Sequence, residues 1–365
     1  MAQINKPTDY FNTKLYTGNG STQSITGVGF QPDWVWIKNR IDAASHNLYD
    51  NIRGADACIQ SNATFAEFSQ SNNGLTSFDS DGFSVGNVND HNGSGDAMVS
   101  WNWLGANGTA SNTDGDITST VSANTTSGFS IVSYTGTGSA GTVGHGLGSA
   151  PSVIWTKTRS DAEEWFCHWS VLGTGSFVKL SSNVAAGTNA TAFPWNPQTN
   201  TFGLSSDGAT NTNGRTYIAY CFAEKKGFSK FGSYNGNNNP TDGAFIYTGF
   251  KPAFLLVKDS EFGQYWHMFD NKREPFNDDD APHLAPNTNA SEATVRTDRG
   301  VAKLDFLSNG FKWRTDNSGF NGTNTYIYMA FAEEPLVGTN NISWLKSCVN
   351  KCSISITITC IATKL

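Results

Sequence analysis

Short runs of alternating apolar and polar residues follow one another along the chain, and Gly, Asn and Asp interrupt them about every ten residues. The first clear run places Trp34 and Trp36 on one face of a strand and Val35 and Ile37 on the other. Because both faces are apolar, we expect this strand to lie inside a sheet that is covered on both sides. No long run has the spacing of an amphipathic helix. The pattern therefore predicts an all-β fold.

Turn-forming dipeptides separate the apolar runs and predict tight hairpins. Asp81-Gly82 and Asn309-Gly310 each stand between two short apolar runs, as the turn of a β-hairpin does. Strands of this length and spacing would number about seven or eight per hundred residues. The predicted architecture is a two-sheet β-sandwich or jelly roll.

The same phrase occurs three times along the chain, which we call copies 1, 2 and 3. A Tyr-Thr-Gly or Tyr-Asn-Gly opening leads to a proline and then to an apolar strand, and the prolines are Pro32, Pro151 and Pro252. Their spacing is that of a small domain and exceeds the roughly 20–50 residues of a solenoid repeat. Three tandem modules indicate a binding or structural protein, because the catalytic residues of an enzyme seldom recur three times.

A charged pair recurs in two of the three copies. Asp50 and Arg53 follow the second apolar run of copy 1, and Asp270 and Arg273 hold the same places in copy 3. Copy 2 has the aromatic run 165–169 there and lacks the arginine. We interpret both pairs as structural, either as strand-end ion pairs or as turn-fixing hydrogen bonds, because arginine can hold a loop through two parallel bonds.

The connections between the copies differ in length. The predicted divisions are copy 1 at 1–106, a polar linker at 107–126, copy 2 at 127–226, copy 3 at 227–337 and a tail at 338–365. Because the linker is rich in Asn, Thr, Ser and Gly, copy 1 is expected to be placed more freely than copies 2 and 3. In the tail, Ile354, Ile356 and Ile358 share one face of a strand that would pair with a sandwich edge or with a neighbouring subunit.

Composition and charge narrow the functional classes. Charged residues make up 15% of the chain and aromatic residues 13%, with a net charge of −7. Nucleic-acid binding is not expected, because it requires a basic surface. Membrane insertion is not expected either, since no apolar run approaches the roughly 18 residues of a span. The start of the chain does not resemble a signal peptide. A virion protein made in the host cytoplasm fits these features, and non-classical secretion is the alternative.

The common catalytic and metal-binding motifs are missing from the sequence. The glycine-rich pieces lack the Walker lysine, and neither a G-x-S-x-G elbow nor an H-E-x-x-H motif occurs. Cys58, Cys167 and Cys221 have no metal-ligand spacing and are expected to be small buried side chains. We therefore predict no catalytic residue, no metal and no cofactor, and a protein that is not an enzyme.

Aromatic side chains are the one chemical resource that could bind a ligand. Most of them recur at equivalent strand positions, which core packing explains. Trp165, Trp169 and Trp195 lie instead in the variable middle of copy 2. These three tryptophans are the predicted binding residues for a carbohydrate or a host receptor.

Several phrases resemble repeat modules in structural proteins of marine and cyanobacterial phages. They include Gly-Phe-Gln-Pro-Asp-Trp-Val-Trp-Ile-Lys at 29–38, Gly-Phe-Ser-Ile-Val-Ser-Tyr-Thr-Gly at 128–136 and Tyr-Ile-Tyr-Met-Ala-Phe-Ala-Glu at 326–333. The resemblance extends over nearly all of the chain except the tail. It implies a virion component with lectin-like β-sandwich modules, and it carries no catalytic residue.

We therefore predict an all-β, non-enzymatic phage virion protein of three tandem lectin-like or jelly-roll β-sandwich modules. Its expected place is a tail fibre or appendage involved in host attachment. The expected partners are other virion proteins and a host surface glycan or receptor, and the expected assembly is a homo-oligomer, preferably a trimer. Two alternatives remain open: a capsid decoration protein, and a carbohydrate-binding lectin or polysaccharide depolymerase.

Overall fold

The strand Trp34–Asn39 has all six of its residues buried in the computed structural model, which describes residues 3–335. It lies in a six-stranded antiparallel sheet of copy 1, in the order β1-β9-β3-β4-β5-β6, beside a three-stranded sheet in the order β2-β8-β7. A short helix, α1 (Asn89–Asn92), precedes the last strand. The strands of copy 1 are β1 (Phe11–Thr17), β2 (Gln23–Thr26), β3 (Trp34–Asn39), β4 (Asn47–Asp50), β5 (Gly54–Gln60), β6 (Phe68–Ser69), β7 (Leu75–Asp79), β8 (Gly82–Val85) and β9 (Ala97–Trp103).

Copy 2 forms an eight-stranded sheet and a two-stranded sheet. The larger has the order β10-β11-β12-β19-β14-β15-β16-β17, the smaller pairs β13 with β18, and α2 (Gly208–Asn211) precedes β19. The strands are β10 (Ala110–Asn112), β11 (Ser119–Asn124), β12 (Phe129–Thr135), β13 (Gly141–Gly144), β14 (Val153–Thr158), β15 (Phe166–Trp169), β16 (Ser176–Lys179), β17 (Gly187–Thr188), β18 (Thr201–Leu204) and β19 (Thr216–Phe222).

Copy 3 forms a four-stranded sheet in the order β20-β26-β22-β23 and a three-stranded sheet in the order β21-β25-β24. Its helix α3 (Glu292–Arg299) begins after Ser291, whose hydroxyl accepts a hydrogen bond from the Thr294 N–H at 3.2 Å. The strands are β20 (Ser229–Asn235), β21 (Phe245–Tyr247), β22 (Phe250–Asp259), β23 (Trp266–Asp270), β24 (Leu304–Leu307), β25 (Gly310–Trp313) and β26 (Thr325–Pro335).

One four-strand order recurs in the three larger sheets, as β1-β9-β3-β4, β12-β19-β14-β15 and β20-β26-β22-β23. The strand registers also correspond, because Trp34 pairs with Asp50, Val153 with Trp169, and Phe254 with Asp270. The sequence repeat is therefore a repeat of topology and register, and positions can be compared between copies one by one.

Each larger sheet packs one face against the smaller sheet of its own copy. In copy 1, Val35, Ile37 and Tyr49 of the larger sheet meet Ile25 and Phe83 of the smaller one. Copies 2 and 3 have corresponding clusters of their own. The predicted all-β fold of packed sheets is confirmed.

The opposite faces of the three larger sheets meet in one central core. The strand β3 is covered on both sides, as expected. Trp34 and Trp36 belong to this central core, whereas Val35 and Ile37 face the smaller sheet. The core includes Trp34, Trp36, Trp101 and Trp103 of copy 1, Trp155, Trp169, Tyr220 and Phe222 of copy 2, and Phe254, Trp266, Met329 and Phe331 of copy 3.

The shared core changes the predicted organisation of the chain. The described residues 3–335 belong to one compact unit, so copy 1 is not placed more freely than the others. The segment 107–126, predicted to be a linker, contains β10 and β11, which extend the larger sheet of copy 2. Its small polar residues pair through their backbone, which needs little apolar surface. The predicted tail strand at Ile354, Ile356 and Ile358 lies outside the described residues.

The recurring Tyr-Thr-Gly phrase holds a buried asparagine in each copy. Asn92, Asn211 and Asn321 are fully buried, and their side-chain oxygens accept hydrogen bonds from backbone N–H groups of the glycine-rich loop. The tyrosine of each phrase donates its hydroxyl proton at 2.7 Å to the carbonyl of the residue before that asparagine. The glycine-rich pieces are therefore structural loops.

The predicted hairpin turns are also confirmed. Ser80 and Asp81 connect β7 to β8, and Ser308 and Asn309 connect β24 to β25. Asp81 also accepts backbone hydrogen bonds from Gly27 at 2.9 Å and from Gly29 at 2.6 Å. This turn therefore ties the hairpin to the loop that leads into β3.

Candidate functional site

The three tryptophans predicted to bind carbohydrate are buried. Trp165 and Trp169 have no exposed surface, and Trp195 is 1% exposed. Trp195 stacks on Phe193 at 5.9 Å between ring centroids, inside the sandwich of copy 2. A sugar cannot stack on a ring that has no exposed face, so the prediction for these residues is wrong. Trp165 and Trp169 instead lie at the contacts between copies.

Trp165 and Trp169 each donate a hydrogen bond to a different copy. The indole N–H of Trp165 reaches the carbonyl of Gln60 in copy 1 at 2.8 Å. The indole N–H of Trp169 reaches the carbonyl of Tyr328 in copy 3 at 3.4 Å. We call the contacts between copies junction 1/2, junction 2/3 and junction 3/1.

A loop of each copy forms backbone hydrogen bonds with the β-hairpin of the next copy. At junction 1/2, the Glu163 N–H donates to the Thr64 carbonyl and the Glu67 N–H to the Arg159 carbonyl, both at 2.8 Å. The contact is therefore made by backbone pairing on both sides of two loop residues, Phe65 and Ala66.

A backbone bond equivalent to that between Glu67 and Arg159 is present at each of the other two junctions. At junction 3/1, the Glu292 N–H donates to the Arg40 carbonyl at 2.9 Å. At junction 2/3, the Ala186 N–H donates to the Ser260 carbonyl at 2.9 Å. The loop of copy 1 binds copy 2, the loop of copy 2 binds copy 3, and the loop of copy 3 binds copy 1. The arrangement of the three copies is therefore cyclic.

The predicted Asp–Arg pairs are present, and both are fully buried. Asp50 accepts hydrogen bonds from the backbone N–H groups of Ile52 at 3.1 Å and of Arg53 at 2.9 Å, and its other oxygen binds the Arg53 guanidinium. Asp270 and Arg273 repeat this geometry in copy 3. Each pair fixes the turn after a strand, as the sequence predicted.

Each pair continues into a chain of four charges across a junction. Arg53 also contacts Glu67 at 3.3 Å, and Glu67 receives two parallel bonds of 2.9 Å from Arg159 of copy 2. Asp50 receives a further bond of 2.7 Å from the hydroxyl of Tyr220, which is also in copy 2. Junction 1/2 is therefore held by two polar connections that start from one buried carboxylate.

Junction 3/1 contains the equivalent chain. Arg273 contacts Glu292 at 2.9 Å, and Glu292 receives two bonds, at 2.8 and 3.1 Å, from Arg40 of copy 1. Asp270 receives a bond of 3.1 Å from the indole N–H of Trp101 in copy 1. No local sequence pattern marks the members of these chains that join two copies, because the partners lie far apart in sequence: Arg40 with Glu292, and Glu67 with Arg159.

Junction 2/3 replaces the charges with apolar contacts. By register, Trp169 occupies the position of Asp50 and Asp270, and its ring lies 5.6 Å from that of Trp266 in copy 3. The position that holds the donors Tyr220 and Trp101 elsewhere holds Met329 here. A carboxylate thus faces a donor at two junctions, and an indole shares the core with a thioether at the third.

Three equivalent lysines are buried beside these junctions. The ammonium groups of Lys38, Lys157 and Lys258 each donate to the carbonyl of the next residue and of the fourth residue along, within the hairpin turn. Burial lowers the pKa of each to about 8. Each lysine satisfies turn carbonyls that have no strand partner, which explains why the Lys recurs in the repeated phrase.

The pKa of the Glu292 carboxyl group is set by its burial and by two neighbouring arginines. Burial alone would raise the pKa of this carboxyl group, but Arg273 and Arg40 lower it to about 2. The pKa of Arg273 is raised, because Asp270 and Glu292 outweigh the effect of burial. These groups stay ionised near neutral pH and act as structural charges.

Cys58, Cys167 and Cys221 are buried free thiols, as expected. Among residues 3–335, no group of three or more His, Cys, Asp and Glu side chains is arranged to hold a metal ion. Within the same range, no helix has the length and apolar character needed to cross a membrane.

Most of the chain matches a known protein family. Residues 6–335 match the family described as "Domain of unknown function (DUF7483)". The chain belongs to this family. No curated protein sequence and no solved structure matches it. The matched range begins just before β1 and ends with β26, so the family domain contains all three copies and all three junctions.

Removal of one partner from a charge chain should destabilise the domain. We expect Arg53→Met to lower the free energy of unfolding by about 3–5 kcal/mol, because Asp50 would remain buried without its counter-charge. Arg215→Met is the matched control, since Arg215 and Asp161 form a half-exposed pair that should contribute less than about 1 kcal/mol. Chemical denaturation measures both effects, and equal losses for the two variants would contradict the assignment.

The lowered pKa of Glu292 predicts an acid-sensitive contribution to stability. The stabilisation is present above the ordinary carboxyl pKa of 4.5 and is lost as the pH falls towards about 2, because the unfolded chain takes up the proton first. Its size is on the order of 3 kcal/mol. The difference in unfolding free energy between the natural protein and Glu292→Gln should therefore shrink from pH 6 to pH 2.5. A difference that stays constant over this range would argue against the ion pair.

Proposed function

We propose that this chain is a non-enzymatic structural protein of a bacteriophage virion, located in a tail fibre or appendage that takes part in host attachment. The observation that supports the proposal best is the cyclic arrangement of the three copies, which share one core and are joined by backbone hydrogen bonds. A particle component must keep its fold outside the cell. A ring of copies suits that role, because no copy can open without exposing the core of the other two.

The low charge and the phage-like phrases support the same proposal. A surface rich in Asn, Thr, Ser and Gly carries few of the charges that typify intracellular proteins. The buried asparagines and lysines explain why the phrases recur, and this explanation requires no enzymatic role for them. In this proposal the residues that recur in all three copies stabilise the fold. Attachment depends on surface residues that differ between the copies.

The proposed partners are other virion proteins and a host surface glycan or receptor. One polypeptide with three copies round a core presents three related hairpin surfaces, which suits a partner of three-fold symmetry. Whether the chain also forms a homotrimer is part of the same proposal, and subunit counting addresses it directly.

Quantitative mass spectrometry of purified virions tests this proposal. We expect the protein in the particle at a few tens of copies or fewer, in multiples of three, because tail appendages are few. The count is calibrated against the major capsid protein of the same particles.

Hundreds of copies per particle would contradict the tail assignment and favour a capsid decoration protein. Absence from the particle would contradict the virion proposal as a whole. It would then favour a secreted lectin or a depolymerase.

A further inference from the structure

Copy 3 displays two aromatic rings on the outside of its smaller sheet. In β21 the side chain of Ile246 points into the sandwich and is 6% exposed, whereas Phe245 is 48% and Tyr247 58% exposed. The two rings lie on the same face of the strand, with backbone positions about 7 Å apart. Adjacent exposed apolar side chains, unlike singly scattered ones, can mark a binding surface.

The neighbouring strand approaches these rings closely. Phe245 pairs in register with Lys312, and Tyr247 pairs with Gly310. At Gly310 an added Cβ atom would overlap the Ile246 carbonyl oxygen and lie 3.2 Å from the edge of the Phe245 ring, so the ring packs against this glycine. Both rings nevertheless stay about half exposed, and we call them, together with Gly310 and Lys312, the platform.

The other copies show that the fold does not require aromatic residues at these positions. In copy 1 the places of Phe245 and Tyr247 are taken by Ser24 and Thr26, since Thr26 pairs with Gly82 as Tyr247 pairs with Gly310. In copy 2 the outer face of the equivalent strand β13 carries Thr142 and Gly144. The rings of copy 3 therefore have a reason other than folding.

Charged groups beside the platform are paired with one another and offer both hydrogen-bond donors and acceptors. Lys312 binds Asp242, and Arg314 binds Asp305 at 2.8 Å and Asp279 at 2.6 Å. Lys312 and Asp305 pair in register on neighbouring strands, in the same row as Phe245. A ligand on the platform would meet both donors and acceptors.

We propose that this platform, formed by Phe245, Tyr247, Gly310 and Lys312, binds a neutral polysaccharide. The apolar C–H face of a pyranose ring packs on an aromatic ring, and its hydroxyl groups need both donors and acceptors at the rim. The rim carries two basic and three acidic side chains, and this small excess of negative charge fits a neutral sugar better than an anionic one. The net charge of −7 disfavours a nucleic acid, although bases also stack on aromatic rings.

An added peptide strand fits this surface less well. The strand β21 is an edge strand, but it is only three residues long, and short edges pair poorly with other chains. The two exposed rings follow each other along one face of the strand, which suits an extended polymer chain lying across them. The inference depends on these contacts alone and does not require the protein to be part of a virion.

The decisive variant is Phe245→Ser with Tyr247→Thr, which gives copy 3 the residues that copy 1 has at these places. Full-length protein is applied to an array that carries maltohexaose, laminarihexaose, cellohexaose and purified bacterial O-polysaccharides. We expect the natural protein to bind at least one of them, and the double variant to bind it at least tenfold more weakly. Calorimetric titration with the saccharide that gives the strongest signal measures the loss.

Two controls separate the site from the fold. The variant Phe245→Tyr with Tyr247→Phe keeps both rings and should keep the binding. The midpoint of thermal unfolding should be the same for the serine–threonine variant, because copy 1 folds with those residues. The proposal would be overturned by a natural protein that binds no saccharide on the array, or by a double variant that binds equally well. Sedimentation that shows self-association lost only in the double variant would assign the platform to a second copy of the chain and overturn it as well.

Discussion

The structure depends on one constraint: each larger sheet is apolar on both faces and must be covered twice. The smaller sheet of the same copy covers one face, through residues such as Val35 and Ile37. The other face, with Trp34 and Trp36, is covered only by the two other copies. A single copy would therefore expose a large apolar surface to water, which is costly in proportion to its area. The three copies fold as one unit because none can bury its second face alone.

The polar contacts at the junctions add direction to this apolar packing. Hydrophobic burial is not directional and would tolerate several arrangements of three similar sheets. The buried Asp50 and Asp270 must each find donors in the next copy, whereas Trp169 must find an apolar neighbour. An exchange of neighbours would place a buried carboxylate opposite Met329 and remove its donor from the next copy, at a cost of about 1–3 kcal/mol. The differences between the copies thus specify which copy lies beside which.

The sequence predicts the local structure well, because alternation and turn dipeptides report backbone geometry directly. The doubly covered strand at Trp34 and the hairpin at Asp81 could both be predicted from neighbouring residues. The pairing of Asp50 with Arg53 was predictable for the same reason. The partners of Trp165 and Trp169 lie in other copies, so no local pattern reveals them. The strands in 107–126 were missed because they pair through backbone groups, which leave no apolar alternation. The exposure of Phe245 and Tyr247 could not be predicted, since their strand is a continuous apolar run of the kind that is typical of strands buried on both faces.

The account rests on the claim that the three copies share one cooperative core. Native-state hydrogen exchange, measured as a function of denaturant, tests it most directly through the amides of the central strands at Trp36, Trp155 and Leu256. If the core is shared, the three amides exchange only by global unfolding, with the same free energy and the same dependence on denaturant. If one copy exchanges at a clearly lower free energy than the other two, the copies are independent modules and the shared-core account is wrong.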